Sequence, residues 1–226
     1  MSISLNPTGV HVDVLINNWE LFSQGFLTTI YLFVWSAVFS LILGTIVAAF
    51  RVSPVPPLRA LGWAYVNLVR NTPLTLVFLY AIFALPLVFP NVGNSFSLSV
   101  GALSVYTATY VAEAIRAGIN TVPLGQAEAA RSIGLTFLQS MRLIILPQAF
   151  RAVIPPLMSV FIALAKNTTV AAGFSVFEAG AIRAYLSERG ENMLVGLLWV
   201  CLGFLLIVSI LSLLQRAFEK KWRIAA

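Results

Sequence analysis

Three groups of polar side chains in this sequence could do chemistry. Glu128 and Arg131 stand three apart among strong helix formers, with Gly134 just beyond. Opposite charges at that spacing can pair with each other or meet the charges of a partner. Lys166-Asn167-Thr168-Thr169 sets an ammonium beside three hydrogen-bonding side chains inside an otherwise apolar run. Such a group could hold an anion where the dielectric is low. The plainer alternatives are a cation paired with Glu113 or Glu178, or one that snorkels to an interface. Helical spacing puts Thr169, not Thr168, on the face of Lys166. Glu113 and Arg116, again three apart, read as a structural ion pair. Catalysis fits none of these groups. The sequence has one histidine, His11, and one cysteine, Cys201, neither with neighbours suited to nucleophilic or acid–base work. His11 stands alone near a terminus, which argues against a metal site, and Cys201 reads as core packing. No lysine sits in the G-x-x-x-x-G-K-[ST] pattern of a phosphate-binding loop, so the chain is not a nucleotide motor.

The elements that carry these groups must be dissolved in lipid. Of 226 residues, 59% are hydrophobic and only 10% charged, and the mean hydropathy is +0.92. Soluble domains average about 45–50% apolar and about 25% charged residues. This composition excludes disorder, and one cysteine excludes a disulfide scaffold. A net charge of +6 is too thinly supported by polar surface to build a face for nucleic acid. Residues Phe26 to Phe50 and Met193 to Leu214 are uncharged runs, each long enough to cross about 30 Å of hydrocarbon. Less clean runs lie at Leu58 to Phe89, Phe96 to Ala117 and Ile154 to Ala181, giving five predicted spans. No Lys or Arg precedes Arg51, so a cleavable secretory signal is not expected. In a five-span arrangement eleven basic residues fall on one side, among them Arg51, Arg59, Arg70, Arg116, Arg131, Arg142, Arg151 and Arg216. Only Arg183 and Arg189 fall on the other, with Asp13, Glu20, Glu188 and Glu191. The positive-inside rule then places the N-terminus outside and the C-terminus in the cytoplasm. Residues 1–23 form an external lead-in, in which Val12 to Ser23 reads as an interfacial helix or an irregular segment. Residues 219–226 form a cytoplasmic tail. Trp35 and Trp199 sit deep enough in their runs to pack between helices, while Gly44, Gly101 and Gly203 would permit close helix approach.

The longest segment between spans, residues 119–151, falls on the cytoplasmic side. Thr121 could cap a helix that Pro123 begins, Gln126 to Ile133 continue and Gly134 ends in left-handed conformation. Thr136 and Gln139 form a capping box for a second helix, which Pro147 interrupts. Ala127, Ala129 and Ala130 keep the first helix slim enough to enter a groove on a partner. The spacing alone reads equally well as a docking helix–turn–helix or as an amphipathic connector.

Glu128-Ala129-Ala130, then Gly134 after three residues, then Ile144-x-Leu146-Pro147 after nine more, resembles the EAA signature of ABC importer permeases. Tyr110-Val111-Ala112-Glu113 with Arg116 and Gly118 is similar to polar amino-acid permeases. So are Arg70-Asn71-Thr72-Pro73 and Lys166-Asn167-Thr168-Thr169. The wording around them looks most like glutamate-type uptake permeases, over roughly residues 24 to 218. Val77 departs from relatives that carry Gln nearby. The resemblance implies an all-α membrane protein with five transmembrane helices and a cytoplasmic helix–turn–helix coupling loop, within a type I permease domain spanning 24–218. It implies that Gly125, Glu128, Ala129, Ala130, Arg131, Gly134 and Leu135 couple to an ATPase. Lys166, Asn167 and Thr169 would line the translocation pathway, and Glu113, Arg116, Arg70 and Pro73 would support the structure. The implied partners are a cytoplasmic ABC ATPase dimer, a second permease subunit (a different chain favoured over a copy), and an external amino-acid-binding protein. The chain itself binds no cofactor; ATP and Mg2+ belong to the ATPase.

An ion-coupled secondary transporter is the main rival reading, but it predicts several intramembrane acids and paired repeats, and the sequence displays neither. A membrane-embedded enzyme would need a catalytic set that is missing. Arg70 is expected at the inner interface. Glu178, Arg183 and Glu188 are expected near the outer face, as contacts for a binding protein or as a solvated rim.

Overall fold

The computed structural model describes residues 10–221, so the readings of the His11 side chain and of the tail beyond Lys221 lie outside the described residues. Every described element is helical. In order they are α1 (Val10–Asn17), α2 (Trp19–Val52), α3 (Pro56–Arg70), α4 (Leu74–Val88), α5 (Ser95–Asn120), α6 (Leu124–Ser132), α7 (Phe137–Phe174), α8 (Ile182–Glu188) and α9 (Met193–Lys221). Four of these, α2, α5, α7 and α9, are long and apolar enough to cross a membrane. The lead-in is helical in two pieces joined at Asn18. It packs Val14 and Phe22 against Ile182 and Leu186 of α8 and Val195 of α9.

The predicted span from Leu58 to Phe89 is not one rod. Helices α3 and α4 meet at 100°. The cause is local: a residue before proline avoids the helical region, and Pro73 has no N–H to continue α3. Asn71 and Thr72 N–H instead close on the Asn67 and Val69 carbonyls, and the Thr72 hydroxyl donates to Leu68 O at 2.8 Å. The Pro73 carbonyl then accepts from Leu76 N–H at 2.9 Å and starts α4.

Pro147 does not interrupt its helix as expected. It lies inside α7, which begins at Phe137 instead of Ile154 and ends at Phe174 instead of Ala181. A π turn, Met141–Ile145, precedes it, and Leu146 N–H donates to Met141 O five residues back. The wider turn moves away the carbonyl that the proline ring would strike. The same device recurs in α4: the π turn Tyr80–Ala84, then Leu85 N–H to Tyr80 O, then Pro86.

Helix α5 is the most deeply buried of the spans. Its Val100, Ser104, Ala108 and Ala112, spaced by four, are buried, as are Ser36, Ser40, Gly44 and Ala48 of α2. Small residues let two backbones approach where lipid supplies no hydrophobic drive to associate. Gly44 shows how tight the seam is: a Cβ there would lie 2.6 Å from Val111 and 2.9 Å from the Ala108 carbonyl. Gly203 meets Phe26 in the same way, but Gly101 faces nothing within 4 Å and is no contact point. Two other packing expectations fail. Trp35 is 49% exposed and stacks on Phe39 along the outside of α2, and Cys201 is exposed on α9. Both lie on the rim of the bundle, where an apolar side chain meets lipid or another subunit at no cost.

Gly44→Ala should destabilise the protein by about 1–3 kcal/mol through overpacking. Gly101→Ala, lacking any neighbour, should stabilise its helix by up to about 1 kcal/mol. Thermal unfolding in detergent of the two variants beside the parent checks both signs.

Candidate functional site

The loop between α5 and α7 is shaped almost wholly by its own backbone. Thr121 does not cap α6; its hydroxyl donates to Gly118 O at 2.7 Å and closes α5, while Pro123 leads into α6 at Leu124. Gly134 has a φ of +84°, where a Cβ is disfavoured. Gly134 N–H donates to Arg131 O and Leu135 N–H to Ala130 O, both at 3.0 Å, which is a Schellman stop. Thr136 and Gln139 then cap each other: Gln139 N–H donates to Thr136 Oγ1 at 3.3 Å and Thr136 N–H to Gln139 Oε1 at 2.9 Å.

Helix α6 buries Ala130 and rests over a cavity of about 430 Å³ lined by Ile119, Pro123, Ala127, Met141 and Ile145. Gly125, Glu128, Ala129, Arg131 and Gly134 are exposed, and Leu135 is half-buried. Glu128 and Arg131 form no ion pair; Arg131 Nε instead donates to Ala127 O at 3.4 Å. The charges of this surface are thus available to a partner. Sequence reasoning passed over its apolar part. Leu124, Ile133, Phe137 and Leu138 are between 66% and 81% exposed, around an otherwise polar turn. Large apolar side chains in a segment outside the spans were the signal that could have found them.

Glu113 is a hub at the foot of the bundle. Its Oε1 lies 2.7 Å from Arg51 Nη1 at the end of α2, and its Oε2 accepts from Arg116 Nη2 at 2.9 Å and from Arg116 Nε at 3.3 Å. Arg51 went unrecognised because it is 62 positions away in sequence, and only the packing of α2 on α5 brings it near.

The expected pathway residues separate. Asn167 lines a pocket of about 330 Å³ with Tyr106, Thr107, Tyr110, Ser159 and Ala163. Lys166 is exposed beside it and forms no ion pair among the described residues, so neither expected partner holds it. Thr169 spends its hydroxyl hydrogen on Lys166 O at 2.8 Å, and Thr168 is buried, donating to Ala165 O. Arg70, at the end of α3, is exposed. Its guanidinium lies 5.4 Å from the centre of the Tyr110 ring, in the second half of α5, and Tyr110 and Tyr106 share a hydrogen bond at 3.0 Å. The bend at Pro73 makes this position possible by ending α3 there. The two tyrosines, four apart, were visible as one helical face but were not singled out.

At the opposite end of the bundle Arg183 and Glu188 are exposed, whereas Glu178 is fully buried and can be neither a docking contact nor a solvated rim. There Asn18 accepts from Arg189 Nη1 at 2.8 Å and donates to Glu191 Oε1 at 3.3 Å, tying the lead-in to the turn before α9.

Comparison with known proteins bears on this arrangement directly. Residues 40–224 match the family model described as binding-protein-dependent transport system inner membrane component. The chain belongs to this family. A relative from Corynebacterium efficiens, the glutamate transport system permease protein GluC, is 49% identical over 75% of this chain and 79% of its own. The glutamate/aspartate import permease protein GltK of Escherichia coli O157:H7 is 34% identical over 84% of this chain and 87% of its own. Among solved structures, that titled an amino acid ABC transporter with histidines superimposes with a TM-score of 0.88 at 25% identity. The match covers 98% of this chain and 100% of that one. The expected all-helical permease fold and the polar amino-acid family are thereby established.

In this permease the Glu113 hub joins two spans through opposite charges, so its chemistry is reversible. Glu113→Arg should lower stability by about 1.5–3 kcal/mol, the scale of a charge-assisted hydrogen bond. Pairing it with Arg51→Glu should recover part of the loss, and a double-mutant cycle on thermal unfolding measures the coupling.

Proposed function

We propose that this chain is the permease subunit of an ATP-driven importer of polar amino acids, with glutamate as substrate. The observation that carries the reading is the exposed surface around the Gly134 turn. A slim helix, free charges at Glu128 and Arg131, and unburied Leu124, Ile133, Phe137 and Leu138 suit a groove on a cytoplasmic ATPase. The named relatives, which transport glutamate or other amino acids, support the substrate class. On this reading the arginine-rich foot is cytoplasmic, the N-terminus is outside, and the permease domain covers 24–218. The chain pairs with a second, different permease subunit and receives substrate from an external binding protein. It is not an enzyme and holds no cofactor; ATP and Mg2+ bind the ATPase dimer. Closure of the ATPases draws the coupling loops together and switches the pathway from inward-open to outward-open.

The pathway runs past Lys166, Asn167 and Thr169, beside the pocket of Tyr106, Tyr110 and Ser159. An acidic amino acid crossing there needs cationic and donor groups, which Lys166, Arg70 and Asn167 supply.

Two experiments test the proposal. Gly134→Val places a β-branched residue at positive φ, and Glu128→Lys reverses the charge of the docking surface. Both variants should insert in the membrane yet lose co-purification with the ATPase or transport-linked hydrolysis; normal coupling in both would reduce the loop to a connector. Lys166→Met should leave the complex assembled and weaken glutamate at that site by about 1.5–3 kcal/mol, roughly ten- to a hundredfold. Uptake into vesicles, with assembly checked separately, reads the effect, and unchanged uptake removes Lys166 from the pathway.

A further inference from the structure

We infer that Glu178 is a positioning residue for outward opening: as the neutral acid it pins the segment after α7 to α2, and on ionising it lets that segment go. The inference rests on the transport reading above, which places this end of the bundle outside.

The segment is held at three adjoining points. Gly25 of α2 has no side chain, and a Cβ there would lie 2.9 Å from Ile182 and 3.5 Å from the Ala179 Cα. One turn on, the Thr29 hydroxyl lies 3.0 Å from Glu178 Oε2 and accepts the Ala179 N–H at 3.0 Å. The other carboxyl oxygen, Oε1, accepts the Gly180 N–H at 2.7 Å. A Cβ at Gly180 would meet that same Oε1, and would lie 3.4 Å from Thr169 in the Lys166–Thr169 turn. The clasp therefore joins the first span, the outer segment and the turn beside the pathway.

Glu178 is 0% exposed, and among the described residues no cation compensates it. On α2 the nearest acid, Glu20, is exposed and accepts from Gln24. Lys166 on α7 and Arg183 and Glu188 on α8 are exposed, and Arg189 and Glu191 before α9 are engaged by Asn18. None of them acts on the Glu178 carboxyl. Burial pushes it up to about 7, against the pull of hydrogen bonds from Thr29 and from the backbone of Gly180, Ala181 and Ala179.

The hydrogen-bond directions suit the neutral form. Thr29 has one proton, and two acceptors are within reach: Glu178 Oε2 and Gly25 O at 3.1 Å. When Glu178 is protonated, its O–H donates to Thr29 and Thr29 donates to Gly25, so every group is served. When it ionises, the anion stays buried with neutral donors alone, the Thr29 hydroxyl and the backbone N–H groups of the turn at Gly180, and no opposite charge acts on it. Opening the clasp exposes it to water, where the ordinary carboxyl value of 4.5 applies. A group raised in the closed state holds that state fully below its open-state value and loses its hold as pH rises through the closed-state value. With about 7 closed and 4.5 open, the closed form should weaken about tenfold between pH 6 and pH 8.

Hydrogen exchange in the assembled complex, resolved at the Ala179 and Gly180 amides and referenced to the intrinsic rate at each pH, reads this directly. Protection should fall about tenfold from pH 6 to pH 8, while that of buried α5 amides near Ser104 stays level. Glu178→Gln, which keeps a donor and an acceptor but cannot ionise, should hold pH 6 protection at both values. External-pH profiles of glutamate uptake should likewise lose their Glu178-dependent rise in this variant. Constant protection in the parent, or an equal fall in Glu178→Gln, would overturn the inference. The parent comparison needs no variant, so it decides even if Glu178→Gln fails to assemble. Amide exchange does not depend on which substrate is carried, so a wrong substrate reading leaves this test standing.

Discussion

The close seam between α2 and α5 is the contact from which the remaining architecture hangs. Lipid tails are as apolar as leucine, so two helices gain nothing by hiding leucines from the bilayer; they gain by approaching until backbone and small side chains touch. Ser36, Ser40, Gly44 and Ala48 supply such a stripe on α2, and Ser104, Ala108 and Ala112 supply its counterpart on α5. The seam is then locked at its foot by Glu113 between Arg51 and Arg116. With α5 so fixed, α3 leans on its middle through Val66 against Ala112 and Tyr65 donating to Val105 O at 2.7 Å. That contact aims Arg70 at Tyr110.

The coupling loop obeys a different logic. It joins α5 to α7 and is stabilised by bonds that start and end within it: the Schellman stop at Gly134 and the reciprocal cap of Thr136 and Gln139. Local bonding of this kind sets a shape before any partner arrives. It also leaves Leu124, Ile133, Phe137 and Leu138 uncovered, a combination that suits the docking proposed for it.

This difference explains what the sequence made legible. Caps, the positive φ of Gly134 and the uncharged spans are properties of short stretches, and they were readable. Whatever depends on packing between distant stretches was not. Arg51 is invisible as a partner of Glu113 until α2 lies on α5. Glu178 looks like a rim residue until α2 and α8 close over it, and Trp35 and Cys201 look like core until the bundle turns them outward. The prolines misled for a subtler reason. Pro147 and Pro86 carry the usual marks of a helix end, but a π turn one residue earlier absorbs each of them. The Ser36-to-Ala48 stripe mixes serine, glycine and alanine at a spacing of four, so its single glycine does not mark it.

Helix α7 ties these parts together. It begins beside the capped turn at Thr136, passes the pocket through Ser159 and Ala163, carries Lys166 and Asn167, and ends at Phe174, directly before the Ser175–Glu178 stretch that reaches α2. A uniform rod of this length would transmit a push at one end as a rigid displacement of the other. This one is not uniform. Its first turns hold the π segment Met141–Ile145, and its last turn, Thr168–Phe174, is a tighter 3-10 helix. Non-α turns have poorer hydrogen-bond geometry than the α-helix between them, so they give first under load. The compliant turns therefore sit at the two ends of α7, while the stretch that lines the pocket keeps its α-helical register. Under the proposed coupling, a movement that enters at the loop would rotate the pocket wall as a unit and arrive at Glu178 as strain, in place of being lost as bending between the two.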